Sequence, residues 1–559
     1  MHIKTLDNQV SISDQISVDD LTEIAKQGVE ILICNRPDGE SDHQETFASL
    51  EEAAKSLSIE MLHIPFRNGE LNDTHRSQFI ASLKSGKKVH AYCRTGNRST
   101  MLWASCLQQL GTADTELLEA AQSAGFEVSD VLGIATEPNK EQTDPLGRDY
   151  HEVVIVGAGS GGIAVASSLL KRKPDLRIAI VDASQEHFYQ PGWTMVGGGV
   201  FRAEDTRRST QKLMPRQVTW IQKPAAVFHP QEQKLELEDG SCIHYGQLIV
   251  SPGLKLDWTA IEGLSESLGS NGVTSNYRYD LAPYTWQLVQ ALKRGKAVFT
   301  QPPMPIKCAG APQKALYLSA DHWFRQGSLK DISIDFFNAG GALFGVETYV
   351  PALMSYIEKY NAQLRFNHTL TKVDGEKQRA WFKTKNEAGE EQSVETDFDM
   401  LHVCPPQIAP DFIRSSPLAD DSGWLDVDQH TLQHKKYPNV WGLGDVINTP
   451  NAKTMAAARK QAPVVAENVC NVIDGQAPTT GYDGYGSCPL TVERGKIVLA
   501  EFGYGGKLLP SFPSWVNNGT TATKRAWFLK ATLLPSIYWH GMLKGREWMV
   551  APEKLSRLD

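Results

Sequence analysis

The run Val153-Val154-Ile155-Val156, followed at once by Gly157-Ala158-Gly159-Ser160-Gly161-Gly162, constrains this chain more than any other stretch. Consecutive β-branched residues without polar alternation suit a strand buried on both faces of a parallel sheet. Helix-forming residues Ile163 to Lys171 come next, so the glycines stand where a strand turns into a helix. There Gly157 permits the tight turn, Gly159 lets the backbone approach a pyrophosphate, and Gly162 lets the helix pack on the strand. The free N–H groups of the helix N-terminus then face the phosphates. A second strand, Arg177 to Val181, ends at Asp182, placed to accept hydrogen bonds from a ribose. Together these features predict a Rossmann βαβ unit that holds FAD or NAD.

At 559 residues the chain exceeds what one hydrophobic core supports. Apolar periodicity divides it into blocks. Residues 1–132 alternate strand-like runs (Glu30 to Cys34, Met61 to Ile64, Lys88 to Tyr92) with helical ones (Val18 to Lys26, Phe47 to Ser56, Arg76 to Ser85), which predicts an α/β domain. Residues 133–149 are polar and bounded by Pro138 and Pro145, and read as a linker. Residues 150–475 form the dinucleotide-binding core, and 476–559 an aromatic-rich tail.

Several function classes fall away. A net charge of −9 and a pI near 6.0 offer no field for nucleic-acid phosphates. The eight cysteines show no CxxC or other metal-ligand spacing, so neither a metal site nor a secreted disulfide framework is expected. No apolar run follows a basic N-terminus, which predicts cytoplasmic residence. No apolar stretch approaches the roughly 20 residues that span a bilayer. The stretch Ala526 to Trp539, with Lys524, Arg525, Lys530 and Lys544 around it, suits helices lying on a membrane surface, here the cytoplasmic face; the alternative is a helical hairpin packed on the body.

FAD is selected over NAD by a second signature, Pro438-Asn439-Val440-Trp441-Gly442-Leu443-Gly444-Asp445. A short strand ending in Gly-Asp ahead of a helix resembles the second flavin motif of flavoproteins with two dinucleotide-binding domains. That resemblance implies that Gly444 and Asp445 bind the ribityl chain. Where such proteins carry a second GxGxxG for a nicotinamide, the strand Lys296 to Thr300 runs instead into Gln301-Pro302-Pro303-Met304-Pro305-Ile306-Lys307-Cys308. Gly340, Gly341 and Gly345 follow another strand, but without the required spacing. Nicotinamide reduction is therefore not expected.

Across about residues 151–548 the chain resembles the mitochondrial-type sulfide:quinone oxidoreductases. The resemblance rests on Tyr189-Gln190-Pro191-Gly192-Trp193-Thr194, Lys307-Cys308-Ala309-Gly310-Ala311-Pro312-Gln313-Lys314, Phe344-Gly345-Val346, Tyr482-Asp483-Gly484-Tyr485 and Ser487-Cys488-Pro489-Leu490. It implies an FAD enzyme on a membrane surface that oxidises sulfide and reduces quinone, with Gln190, Pro191, Lys314 and Lys453 at the cofactor. Cys308 becomes the expected redox cysteine. The resemblance also implies a second cysteine directly after Gly444-Asp445, where this chain has Val446. Cys404 is the nearest substitute; otherwise it is a buried small hydrophobe, and Cys308 works alone or with an external thiol. Cys488, ahead of a proline in a surface-like segment, reads as structural. A quinone-linked NADH or thiol oxidoreductase is the alternative.

In the first block, Val89 to Tyr92 leads into Cys93-Arg94-Thr95-Gly96-Asn97-Arg98-Ser99 and then an apolar helix. A cysteine in a loop of inward-pointing amides at a helix N-terminus is poised as a nucleophile. Rhodaneses and cysteine phosphatases both use this arrangement, but phosphatases space cysteine and arginine one residue further apart than Cys93 and Arg98. The block, with Asn35 to Glu40 and His63-Ile64-Pro65, resembles a small family of phosphatase-like fold whose members are called sulfurtransferases. That implies a three-layer α/β domain in which Cys93 and Arg98 exchange sulfane sulfur with a low-molecular-weight thiol or another acceptor. A cysteine phosphatase is the alternative.

Overall fold

The computed structural model describes residues 1, 3–40, 44–67, 70–126, 128, 131–132 and 149–558. All but the last residue of the expected linker lies outside them. The chain forms two compact units: Met1–Asp149 with Leu237–Cys242, and Tyr150–Glu236 with Ile243–Asp559.

The first unit is built on a five-stranded sheet with strand Val89–Tyr92 at its centre. This strand runs parallel to Val10–Ser13 on one side and to Ile31–Cys34 on the other, and the latter runs parallel to Glu60–His63. Side chains alternate faces along a strand. Ile31 and Ile33 therefore enter one core with Trp103 and Leu102, while Leu32 and Cys34 enter another with Leu21 and Leu50. Helices cover both faces, giving three layers. The register pairs Tyr92 with both Ser13 and Cys34, so Cys93 emerges at the common C-terminal edge of the parallel strands. The helix expected from Arg76 starts earlier, at Asp73, because the Asn72 side chain caps it by accepting from the Thr74 and His75 amides.

The second unit contains a seven-stranded sheet with Tyr150–Val156 near its middle. Val156 is in register with Val181 and with Val250, and Val250 with Gly442. All these pairings are parallel. Gly157, Asp182, Ser251 and Leu443 consequently leave the sheet at one edge, which brings the two motifs, far apart in sequence, side by side. A second sheet of five parallel strands carries Gly295–Gln301 in the middle, flanked by Met400–His402 and Ile332–Asn338. Beyond Gln301 the chain forms the Cys308 loop and enters helix Ala311–Gln326. The hairpin Gly486–Glu493 and Lys496–Phe502 packs against that helix through Cys488, Leu490, Val492, Val498 and Ala500.

After the hairpin, Lys524–Phe528, Leu529–Leu533, Leu534–Ser536 and Ile537–Gly541 form consecutive helical turns. One side is buried, with Ala526, Lys530, Tyr538, Trp539, Met542 and Leu543 facing the body, while Phe528 and Leu533 are exposed. Among the described residues, no helix is long and apolar enough to cross a membrane.

Candidate functional site

The glycine loop has the stereochemistry that a pyrophosphate cradle requires. Gly157 adopts φ +105°, and a Cβ there would meet the Ser251 carbonyl oxygen at 2.4 Å. A Cβ on Gly162 would lie 1.8 Å from the Gly157 carbonyl oxygen. At Gly159 none of the described residues comes within 4 Å of the Cβ position, so that side of the loop is open to a ligand. Asp182 accepts from the Ala158 and Ser184 amides at 2.6 and 2.8 Å, which fixes its carboxylate beside the loop. Each of its oxygens keeps a lone pair for a ribose hydroxyl. This donor and acceptor set, with Asp445 at the same sheet edge, fits FAD.

Gly444, at φ +81°, donates its amide to Gln461 Oε1 at 2.8 Å. Burial raises the Asp445 carboxyl above its usual range, opposed by the Lys307 and Lys453 charges. Lys453 donates to the carbonyls of Asp445 at 2.8 Å and Ile447 at 2.7 Å, and burial pulls it down to about 8. The Lys453 carbonyl in turn accepts the Cys308 amide at 2.8 Å, which ties the second flavin motif to the cysteine loop. Lys307 donates to Gln190 Oε1 at 2.5 Å.

Cys308 is half-buried, with a left-handed backbone at φ 49°. Its thiol is held well below the ordinary cysteine range by the neighbouring Cys488 thiol, and then by the Lys314 ammonium, which donates to Sγ at 3.0 Å. Cys488 is pushed well above the ordinary range by the neighbouring Cys308 sulfur and by burial beside that negative charge, so it keeps its proton. Burial works against the Lys314 charge, but the Cys308 thiolate outweighs it and raises Lys314. A further lysine closes the site: Lys530, from the C-terminal helical segment, donates to the Pro191 carbonyl at 2.9 Å. Burial, with the neighbouring Lys314 charge, pulls Lys530 down to about 7.

The position of Cys488 differs from the one read from sequence. Cys488 is not on a surface segment; it is 1% exposed, in the core with Leu490 and Val492, because alternate residues of strand Gly486–Glu493 point inward. It lies beside Cys308. Cys404 joins the same small apolar cluster as Cys308, but its sulfur accepts from Gln407 Nε2 at 3.8 Å, and burial pushes its thiol up to about 12. Val446 is fully buried. Lys314, expected at the cofactor, gives one of its three N–H groups to the Cys308 sulfur. Sequence reasoning missed Lys530, which in an aromatic stretch reads as a surface cation.

In the first unit, Cys93 is buried and its Sγ accepts the Gly96 amide at 3.2 Å. Arg98 is buried too, and faces Cys93. Glu40, not singled out from sequence, grips Arg98 end-on: Nη1 and Nη2 donate to its two carboxylate oxygens at 2.6 and 2.8 Å. Arg98 Nη1 also donates to the Phe66 carbonyl at 2.9 Å, and Arg36 Nε donates to Glu40 at 2.8 Å. Three of the five guanidinium protons are thereby used, leaving Nε–H and one Nη2 proton on a single edge. Burial opposes the Glu40 charge, but hydrogen bonds from Arg98 and Arg36 hold its pKa below the usual carboxylate value.

Comparisons with known proteins agree with both halves. A family model described as beta-lactamase hydrolase-like protein, phosphatase-like domain, matches residues 2–111. The mitochondrial sulfide:quinone oxidoreductase of Mus musculus is 39% identical over 398 residues, covering 71% of this chain and 87% of that protein. Its namesake from Dictyostelium discoideum is 41% identical over 404 residues, with the same coverage of 71% and 87%. The sulfide:quinone oxidoreductase structure from Aquifex aeolicus superposes with a TM-score of 0.58 at 19% identity, over 71% of this chain and 92% of that one, which is a likeness of fold. With that identity and coverage, and with both flavin motifs at one sheet edge beside Cys308, the chain belongs to the mitochondrial-type sulfide:quinone oxidoreductases, a family of FAD-dependent flavoenzymes.

Proposed function

We propose that the second unit oxidises sulfide through a Cys308–Cys488 redox pair and passes two electrons to a quinone. The observation that carries this reading is the neighbouring, lysine-flanked thiol pair tied to the second flavin motif. In the oxidised enzyme the two cysteines form a disulfide. Hydrosulfide attacks the sulfur whose leaving partner is the more stable thiolate, and Lys314 makes Cys308 that partner. The step is Cys308–S–S–Cys488 + HS⁻ → Cys488–S–SH + Cys308–S⁻. A thiol acceptor then takes the outer sulfur as R–S–SH and leaves the Cys488 thiolate, and the disulfide re-forms as two electrons depart. Bound FAD supplies the two-electron relay between the cysteines and quinone. Lys530, poised near neutrality, supplies or withdraws a proton at the sulfur atoms.

Cys93 receives sulfane sulfur in the first unit: Cys93–S⁻ + R–S–SH → Cys93–S–SH + RS⁻. The two donors left free on the Arg98 edge hold the sulfur anion. The description of the matching family model favours a second reading, phosphate-ester hydrolysis at Cys93. Aryl-phosphate turnover that vanishes in Cys93→Ser, without persulfide:cyanide activity, would select it.

The exposed Phe528, Leu533, Trp548 and Met549, with Lys524, Arg525 and Lys544, form the surface we assign to peripheral contact with a membrane. The decisive experiment for the whole reading is anaerobic titration of the FAD-loaded chain with sulfide. Bleaching of the flavin band is expected; an unchanged spectrum sinks the proposal.

A further inference from the structure

The C-terminal helical segment reaches back to the glycine loop through one hydroxyl. Tyr538, 1% exposed, places its oxygen 2.5 Å from His187 Nε2 and 2.8 Å from Ser160 Oγ. His187 Nδ1 lies 3.0 Å from the Ala158 carbonyl oxygen. A carbonyl can only accept, so Nδ1 carries the ring proton. Burial pulls His187 down to about 4, so the ring is neutral and Nε2 is a bare acceptor. Tyr538 must then donate its O–H to Nε2, and its oxygen accepts from Ser160. Every bond direction in the chain Ser160 → Tyr538 → His187 → Ala158 is thereby determined.

The two ends of this relay, Ala158 and Ser160, flank Gly159, the residue whose outward side is open. Ser160 is also the first residue of helix Ser160–Arg172, whose N-terminal amides face that opening. The same C-terminal stretch holds that helix further along. Ser167 Oγ donates to the Leu543 carbonyl at 3.0 Å. Glu547 accepts from Ser168 Oγ at 2.5 Å, from Arg172 Nη1 at 2.5 Å and from Lys171 Nζ at 3.0 Å. A Cβ on Gly545 would meet the Ser167 carbonyl oxygen at 2.7 Å, so the contact is close along its length. The C-terminal segment is thus fastened to the dinucleotide-binding helix, and its Tyr538 closes a hydrogen-bond ring around the turn that must hold the pyrophosphate.

We propose that Tyr538 is a positioning residue for the FAD pyrophosphate loop, so that the C-terminal helical segment is a working part of the cofactor site. This rests on the reading of the glycine loop as the FAD site. Without the Tyr538 hydroxyl, His187 Nε2 loses its donor and Ser160 is free to rotate, and the amides on either side of Gly159 lose their fixed aim.

The test uses the full chain, stripped of flavin and titrated with FAD, with binding followed by quenching of flavin fluorescence. Tyr538→Phe keeps the ring and its packing and removes one oxygen. FAD affinity is expected to fall about tenfold in Tyr538→Phe and in Ser160→Ala, and no further in the double variant, because both break the same relay. The melting temperature of the flavin-free protein is expected to match wild type. Unchanged FAD affinity in Tyr538→Phe overturns the proposal, as do additive losses in the double variant. A drop in flavin-free melting temperature that accounts for the lost affinity would make the role merely structural and overturns it as well. A wild-type chain that takes up no FAD would instead overturn the flavin reading beneath it.

Discussion

Cys488 is buried beside Cys308, whose sulfur accepts a hydrogen bond from the Lys314 ammonium at 3.0 Å. The pair is asymmetric: one sulfur is poised as a thiolate, the other retains its proton. Asymmetry of this kind decides which sulfur leaves when the disulfide is attacked. In the proposed reading it ties sulfide chemistry to a residue contributed by a hairpin far along the chain, whereas Cys404, close in space, accepts from Gln407.

Replacing Cys488 by serine should therefore abolish productive sulfide oxidation, lowering sulfide-dependent flavin reduction by about 10²-fold or more. Cys404→Ser should retain it within a few-fold. Stopped-flow measurement of flavin bleaching in the two variants checks this, and equal losses would return Cys404 to the redox pair.

Lys530 carries its charge below about 7 and loses it above. Its ammonium adds to that of Lys314 in favouring the Cys308 thiolate, so Lys530→Met should raise the pH at which Cys308 becomes reactive. The rate of sulfide-driven flavin reduction should show an inflection near 7 in wild type. The inflection should disappear in Lys530→Met, with a loss of about tenfold or more at neutral pH. Alkylation of Cys308 followed across pH by peptide mass spectrometry gives the independent reading.

At Gly162 the added methyl of alanine would stand 1.8 Å from the Gly157 carbonyl oxygen. The methyl is fixed to the Cα and the carbonyl is backbone, so neither can swing aside and the strand-to-helix turn must open. Gly162→Ala is expected to purify with little or no FAD, and the ratio of flavin to protein absorbance measures it.

Glu40→Gln removes the carboxylate that aligns Arg98 and leaves a half-paired buried guanidinium. Sulfur transfer at Cys93 should drop by about tenfold or more, and the first unit should lose about 1–3 kcal/mol. Because Arg98 and Arg36 hold Glu40 below the usual carboxylate range, its stabilising contribution is present above the unfolded-state value. It is lost as pH falls through the lower folded value. Persulfide:cyanide assays and acid unfolding followed by hydrogen exchange test both statements, and a wild-type acid midpoint in Glu40→Gln would contradict the second.

Much of this architecture is local enough to be written along the chain. A strand, three spaced glycines, a helix and a terminal acid are consecutive in sequence, so Gly157, Gly159, Gly162 and Asp182 could be assigned before any fold was known. The Cys93 loop and its Arg98 are legible for the same reason. What sequence left open were relationships between distant segments. Strand alternation turns Cys488 inward, and hairpin packing on helix Ala311–Gln326 sets it against Cys308. Helical packing of the C-terminal stretch brings Lys530 to the thiols and Tyr538 to the glycine loop. A parallel sheet aligns Gly157 with Gly444-Asp445 although nearly three hundred residues separate them. Sequence alone thus determined the two cysteine loops and the cofactor fold, because each is a short-range pattern of backbone conformations. The partners of those loops are long-range contacts, and only burial of side chains in the folded core selected them.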